Sequence, residues 1–253
     1  MQRQELLQIK GEADTLESIM DAASTFSRVS SIGDLRGTAG RLEGVLNSGS
    51  PDAAYAAIVC HPHPKGGGTM HNKVVYHAMK VFSSLGLPVV RFNFRGTGLS
   101  EGEHDDGHGE QEDVRAVLDW MEVNLKLPIL FAGFSFGSSV GMRACCGDDR
   151  VKGLVGLGVP VRAEGRDYTY GFLQQCAGPK LFISGDHDQY GPRELVDDVL
   201  GKAAEPKEIH WVAGADHFFQ GIPESPGAKL EQMQAMLRAW LEARFGLGLR
   251  VVE

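Results

Sequence analysis

The chain has 253 residues, 42% hydrophobic and 23% charged, an ordinary globular composition that excludes a disordered tail protein, a collagen-like chain and a coiled coil. Its net charge is −8, from 25 Lys and Arg against 33 Asp and Glu, and without a basic block it would repel phosphate backbones, so nucleic acid is not expected as a partner. No apolar run approaches the ~18 residues of a membrane span, so no membrane association is expected.

Residues 1–23 read as a helix, with Leu6, Ile9, Leu16, Ile19, Met20 and Ala23 at loose helical spacing and Gly11 interrupting. Residues 1–25 are therefore set apart as an N-terminal helical extension, and 26–253 as one domain. The extension either packs on the domain's flank or meets a second subunit, as in a homodimer. Its first residues carry charges throughout and lack an apolar core, so no secretory signal is expected. The four cysteines, Cys60, Cys145, Cys146 and Cys176, form no CxxC pair and are expected to be reduced, buried thiols of a cytoplasmic protein.

Residues 26–60 are strand-like, and the run Ala53–Cys60 is small and β-branched throughout, as for a strand buried on both faces. Beyond it strands and helices alternate. Helices are predicted at 71–85, 110–124, 136–146, 192–203 and 225–245. Strands are predicted at 88–94, 128–133, 151–159, 180–185 and 207–213. This alternation means βαβ units and a parallel sheet covered on both faces, with chemistry at the carboxyl ends of the strands.

The candidate chemistry falls there. After the strand 128–133 comes Gly133-Phe134-Ser135-Phe136-Gly137, a G-x-S-x-G nucleophile elbow between a predicted strand and a predicted helix. Glycines two before and two after the serine relieve crowding where strand turns into helix, and Gly141 suits close packing of that helix on the sheet. The Phe136 amide would then face a developing oxyanion. A serine hydroxyl needs a base, and the base an orienting carboxylate, in the chain order Ser, acid, His. After 180–185 comes Asp186-His187-Asp188, where Asp188 is preferred because it lies further into the loop. Asp186 is expected to cap the turn. After 207–213 comes His217, in a loop, whereas His210 lies inside a strand and is expected to be structural.

The loop after Cys60 reads His61-Pro62-His63-Pro64-Lys65-Gly66-Gly67-Gly68. Proline has no N–H, so a second oxyanion donor must come from His63, Lys65 or a following glycine, and His63 is preferred. The competing reading is a metal chelate of His61 and His63 completed by Asp186, Asp188 or the 103–108 stretch. The flanking prolines and the lack of an HxxE or HxxxD partner argue against it, so no metal is assigned. Residues 101–110 read as a solvated acidic loop at the pocket rim. Arg95 is read as a residue that holds loops through carboxylates or carbonyls. No nucleotide-binding glycine motif is complete, and no cofactor is assigned.

Taken together, HPHPKGGGTMHNKVV, RFNFRGTGLSEG, GFSFG, SGDHDQYGP and GADHFF resemble the α/β-hydrolase superfamily. They are most similar to its small bacterial dienelactone-hydrolase-like branch. The resemblance spans about residues 40–245. It implies a mostly parallel eight-stranded sheet with helices on both faces and a Ser135–Asp188–His217 triad. It further implies an oxyanion hole from the backbone of Phe136 and His63. Dienelactone hydrolases proper use a cysteine nucleophile, so with Ser135 lactone specificity does not carry over. Only about 20 residues separate the strands 151–159 and 180–185, too few for a large lid. The expected function is hydrolysis of small, short-chain carboxylic esters by a serine esterase. A peptidase or thioesterase with the same triad, and a binding protein without turnover, are the alternatives. Phe134, Phe136, Tyr168, Tyr170, Phe172, Phe218 and Phe219 are candidate pocket walls.

Overall fold

A computed structural model describes residues 28–163, 165–227 and 229–248. The expected N-terminal helix therefore lies outside the described residues. Eight strands form one sheet: β1 Val29–Ile32, β2 Gly44–Asn47, β3 Ala56–Cys60, β4 Val89–Phe92, β5 Ile129–Phe134, β6 Val151–Leu157, β7 Lys180–Gly185 and β8 Lys207–Val212. Their order is β1-β2-β4-β3-β5-β6-β7-β8. β2 runs antiparallel to β1 and β4, and every other pairing is parallel. The helices are α1 Lys73–Ser84, α2 His108–Asn124, α3 Phe136–Cys145, α4 Arg193–Gly201 and α5 Lys229–Phe245.

The continuous apolar strands are buried on both faces because the side-chain period of a strand is two. In β3, Ile58 and Cys60 enter one core with α2, α3 and α4, while Ala57 and Val59 enter the other with α1 and α5. Val114, Val117, Leu118 and Met121 of α2 lie on one helical face and are fully buried. α3 runs close to the sheet: a Cβ at Gly141 would sit 2.2 Å from the Phe131 ring.

Between β6 and β7 the chain holds a two-stranded ribbon, Arg162–Ala163 with Arg166–Asp167, and the 3-10 turn Gly171–Gln175. Among the described residues no helical lid stands there. Among the described residues no helix is long and apolar enough to cross a membrane.

The expectation of four reduced thiols needs correction. Cys146 and Cys176 form a disulfide with Cα atoms 5.5 Å apart, while Cys60 and Cys145 are free and buried. The pairing arises because the end of α3 and the end of the 3-10 turn meet in space, 30 residues apart in the chain.

Candidate active site

Ser135 sits between the last residue of β5 and the first of α3, with φ 53° and ψ −123°. A side chain rarely adopts that conformation, and it persists only where the surroundings impose it. Here the Ser135 amide donates to the Leu157 carbonyl at 2.9 Å, and its carbonyl accepts from Ser138 N at 2.9 Å and Ser139 N at 3.3 Å. The flanking glycines have steric causes. A Cβ at Gly133 would lie 2.5 Å from the Gly137 carbonyl oxygen, and one at Gly137 would lie 2.3 Å from that of His61. Gly137→Ala should therefore push the loop after β3 away from Ser135. Displacements of about an ångström at a reacting centre cost on the order of 100-fold in rate. A loss of that size in kcat/KM, with the variant still folded by circular dichroism, is expected.

His217 arrives from the loop after β8. Asp216 shapes that loop: its Oδ1 accepts from Phe218 N at 2.9 Å and from Gln220 N at 2.8 Å. His217 is 2% exposed, with Nε2 at 2.9 Å from Ser135 Oγ and Nδ1 at 2.8 Å from Asp188 Oδ2. Asp188 is also buried, and its Oδ1 accepts the amides of Tyr190 at 2.8 Å and Gly191 at 3.1 Å. Phe134 and Tyr190 pack on the imidazole, with ring centroids at 5.0 and 4.7 Å.

The structure thus brings Ser135, His217 and Asp188 into one hydrogen-bonded chain. Asp186 stands outside it. Its Oδ1 accepts from Gly214 N at 2.7 Å and contacts His187 Nδ1 at 2.8 Å, tying the β7 and β8 loops together. Partial burial pushes its pKa up, but the hydrogen bonds from His187 and the Gly214 amide outweigh this and hold it below the usual carboxylate range. His210 lies in β8 beside Glu208, at 3.1 Å.

The loop after β3 folds into the 3-10 turn Pro64–Gly66, capped by His63. Lys65 N donates to His63 Nδ1 at 3.1 Å; Gly66 N and Gly68 N donate to the His63 carbonyl at 3.1 and 3.0 Å. Gly67 N donates to the Pro64 carbonyl at 3.0 Å. The amide of Lys65, the alternative donor, is thus engaged inside the loop, as are those of the three glycines. The His63 ring packs on Phe136, with centroids 4.8 Å apart, next to the first N–H of α3. At that position an amide has no intrahelical acceptor.

His61 is fully buried. Phe94 N donates to its Nε2 at 3.0 Å, and its Nδ1 lies 2.7 Å from the Pro62 carbonyl. Neutral imidazole with the proton on Nδ1 fits both contacts, so neither nitrogen is available to chelate a metal. Burial pulls its pKa down from 6.5 to about 4. The unfolded chain then binds the proton more readily, so folding stability should rise with pH across that window. The contribution is full above pH 6.5 and is lost as pH falls toward 4, amounting to about 3 kcal/mol. Urea melts of the wild type and His61→Asn should give a shallower pH slope for the variant; equal slopes would refute this.

Arg95 holds loops, as expected. Its Nη2 meets Asp113 Oδ1 at 2.7 Å and Thr38 Oγ1 at 3.0 Å. The stretch 101–110 is exposed at Glu103, Asp105 and Asp106, but Glu110 is fully buried. Glu110 accepts from Asp105 N at 2.9 Å and Gly107 N at 2.8 Å. His104 Nδ1 lies 2.7 Å from Glu110 Oε1, and its ring packs 4.8 Å from that of His63. His104 and Glu110 therefore buttress the loop after β3, which the sequence reading missed. The glutamate three residues after Gly107, at the start of α2, was the available signal.

Of the candidate walls, Phe136 and Tyr168 line a cleft of about 720 Å³ along α3, and neither Ser135 nor His217 lines it. Phe134 and Phe218 stand at His217. Phe172 lies under Arg143, while Tyr170 and Phe219 are buried in the cores.

A mostly parallel eight-stranded sheet in this order, with a serine at the elbow after β5, is the α/β-hydrolase arrangement. Residues 56–243 match the family described as alpha/beta hydrolase domain, and the chain belongs to that family. An uncharacterised protein of Rickettsia prowazekii is 35% identical over 191 residues, covering 73% of this chain and 80% of that protein. Among solved structures, an alpha-beta serine hydrolase homologue from Coxiella burnetii is 36% identical with a TM-score of 0.72. That match covers 85% of this chain and 97% of the other. A member of the serine hydrolases without lid from Xanthomonas campestris is 33% identical with a TM-score of 0.71, covering 87% and 95%. Fold and family are those of hydrolases.

Proposed function

We propose that the protein is a serine esterase that cleaves small carboxylic esters through an acyl-enzyme on Ser135. The observation that carries this is the hydrogen-bonded chain Ser135–His217–Asp188 at a strained strand-to-helix turn. His217 Nε2 takes the hydroxyl proton as Ser135 Oγ attacks the ester carbonyl, and Asp188 steadies the resulting imidazolium. The amides of Phe136 and His63 hold the oxyanion. The imidazolium then protonates the departing alcohol. Water, deprotonated by the same nitrogen, cleaves the acyl-enzyme and restores the serine. Among the described residues the short connection between β6 and β7 places no helical cover over the site, which suits short acyl chains rather than lipids that need a deep apolar enclosure.

A fluorophosphonate probe should label Ser135 stoichiometrically; an unlabelled, folded protein would favour a binding function. A panel of esters, thioesters and aminoacyl amides should give its highest kcat/KM on esters. Thioester or amide preference would move the assignment to a thioesterase or a peptidase.

A further inference from the structure

The loop after β8 carries two adjacent phenylalanines and turns them opposite ways. Phe219 points inward and is buried in the core with α1 and α5. Its φ is 56°, a conformation that a bulky side chain rarely adopts and keeps only where its surroundings impose it. Asp216 supplies the constraint. Its Oδ1 accepts from the Phe218 and Gln220 amides, its own amide donates to the Gln220 carbonyl at 2.9 Å, and its carbonyl accepts from Phe219 N at 3.1 Å. Phe218 points outward and is 39% exposed.

A single exposed apolar side chain carries no meaning by itself. Phe218 differs in what it touches. Its ring stands edge-on to the His217 imidazole, with centroids 5.1 Å apart and planes at 85°. It also lies 5.7 Å from the ring of Phe134, the residue before the nucleophile. Of the three phenyl and phenol rings against His217 among the described residues, Phe134 is buried and Tyr190 half-buried, so Phe218 presents the most accessible apolar surface at the base.

The chemistry says which part of an ester meets that surface. His217 Nδ1 faces the buried Asp188 carboxylate, and Nε2 faces Ser135 Oγ. In acylation the proton on Nε2 passes to the leaving oxygen as the C–O bond breaks. The leaving oxygen therefore comes within hydrogen-bond reach of Nε2, and the carbon frame it carries is brought beside the imidazole. A ring already held by two neighbours has little rotamer freedom left to lose, and it favours an apolar or aromatic group.

We propose that Phe218 is the apolar wall of a leaving-alcohol subsite, so that the preferred substrates are esters of aromatic alcohols. The proposal rests on Ser135 as nucleophile and His217 as proton carrier, and it deepens that reading by naming the alcohol. The same contact serves the reverse step. An alcohol gives its hydroxyl proton to Nε2 as its oxygen attacks the acyl carbon, which forms a new ester and frees Ser135.

The test compares benzyl acetate with methyl acetate, which share an acyl group and release alcohols of similar acidity. The wild type should favour the benzyl ester in kcat/KM by about tenfold or more, the scale of one aromatic contact with the area it covers. Phe218→Ala should bring that ratio near one, and Phe218→Leu should keep part of it. The ratio of benzyl acetate to benzyl butyrate should not move in either variant. Benzyl alcohol added during 4-nitrophenyl acetate turnover should capture the acetyl-enzyme as benzyl acetate, and Phe218→Ala should lower that capture relative to water by a similar factor. No benzyl preference in the wild type would overturn the proposal and leave the esterase reading intact. Equal losses on both acetates in Phe218→Ala would also overturn it, because the ring would then only steady His217. A shift in the acetate-to-butyrate ratio would place Phe218 on the acyl side and overturn it too. If none of these esters is cleaved, the esterase reading falls and the subsite with it.

Discussion

Ser135→Ala should abolish ester hydrolysis, lowering kcat by about 10⁶-fold, the scale on which removing a serine nucleophile acts in triad hydrolases. The protein should remain folded. The Ser135 hydroxyl has one side-chain hydrogen bond, to His217, and the backbone bonds to Leu157, Ser138 and Ser139 do not involve it. Alanine also takes the elbow conformation no worse than serine, because the strain comes from Cβ and both residues have one. A variant with an unchanged melting curve and no fluorophosphonate labelling is the expected result. A residual rate above about a tenth of wild type would place the nucleophile elsewhere. What remains after the substitution should be the modest acceleration that an oxyanion hole and binding supply alone.

Much of this site was readable before any coordinates because its parts obey local rules. Each polar candidate stands just past a strand whose apolar run is unbroken, and the carboxyl ends of parallel strands lie on one edge of the sheet. That rule is enough to bring the loops after β3, β5, β7 and β8 together. The glycines at 133 and 137 were legible for the same reason: strand-to-helix reversal leaves no space for a Cβ, and the contacts at the Gly137 and His61 carbonyls are that lack of space measured. What was not legible depends on partners distant in the chain. Glu110 looks like one more exposed acid until the 104–107 loop folds its amides onto the carboxylate. The Cys146–Cys176 pair needs the end of α3 beside the 171–175 turn, which no spacing encodes. His63 and Lys65 could not be separated by sequence, and the hydrogen bond from Lys65 N to the His63 ring forms only once the loop folds into its 3-10 turn.

Asp188→Asn should cost about 10⁴-fold in kcat, as such a change does in a serine protease triad, whereas Asp186→Asn should stay within about tenfold. The reason lies in the two oxygens of Asp188. Oδ1 accepts the amides of Tyr190 and Gly191, and Oδ2 faces His217 Nδ1. In an asparagine the oxygen must keep the first position, because an NH₂ group there would confront two N–H donors. The NH₂ group is thereby directed at His217 Nδ1, which must accept from it. The imidazole proton then moves to Nε2, and Nε2 can no longer take the proton of Ser135. Geometry survives and the base is lost. Asp186 differs because its contact with the Gly214 amide needs only one acceptor oxygen, which asparagine retains. Equal losses in the two variants would remove Asp188 from its role, and the reverse order would transfer that role to Asp186. A rise of kcat in Asp188→Asn with pH, following deprotonation of water rather than of an imidazole, would show hydroxide bypassing the missing base, which is the behaviour expected when only the tautomer has been lost.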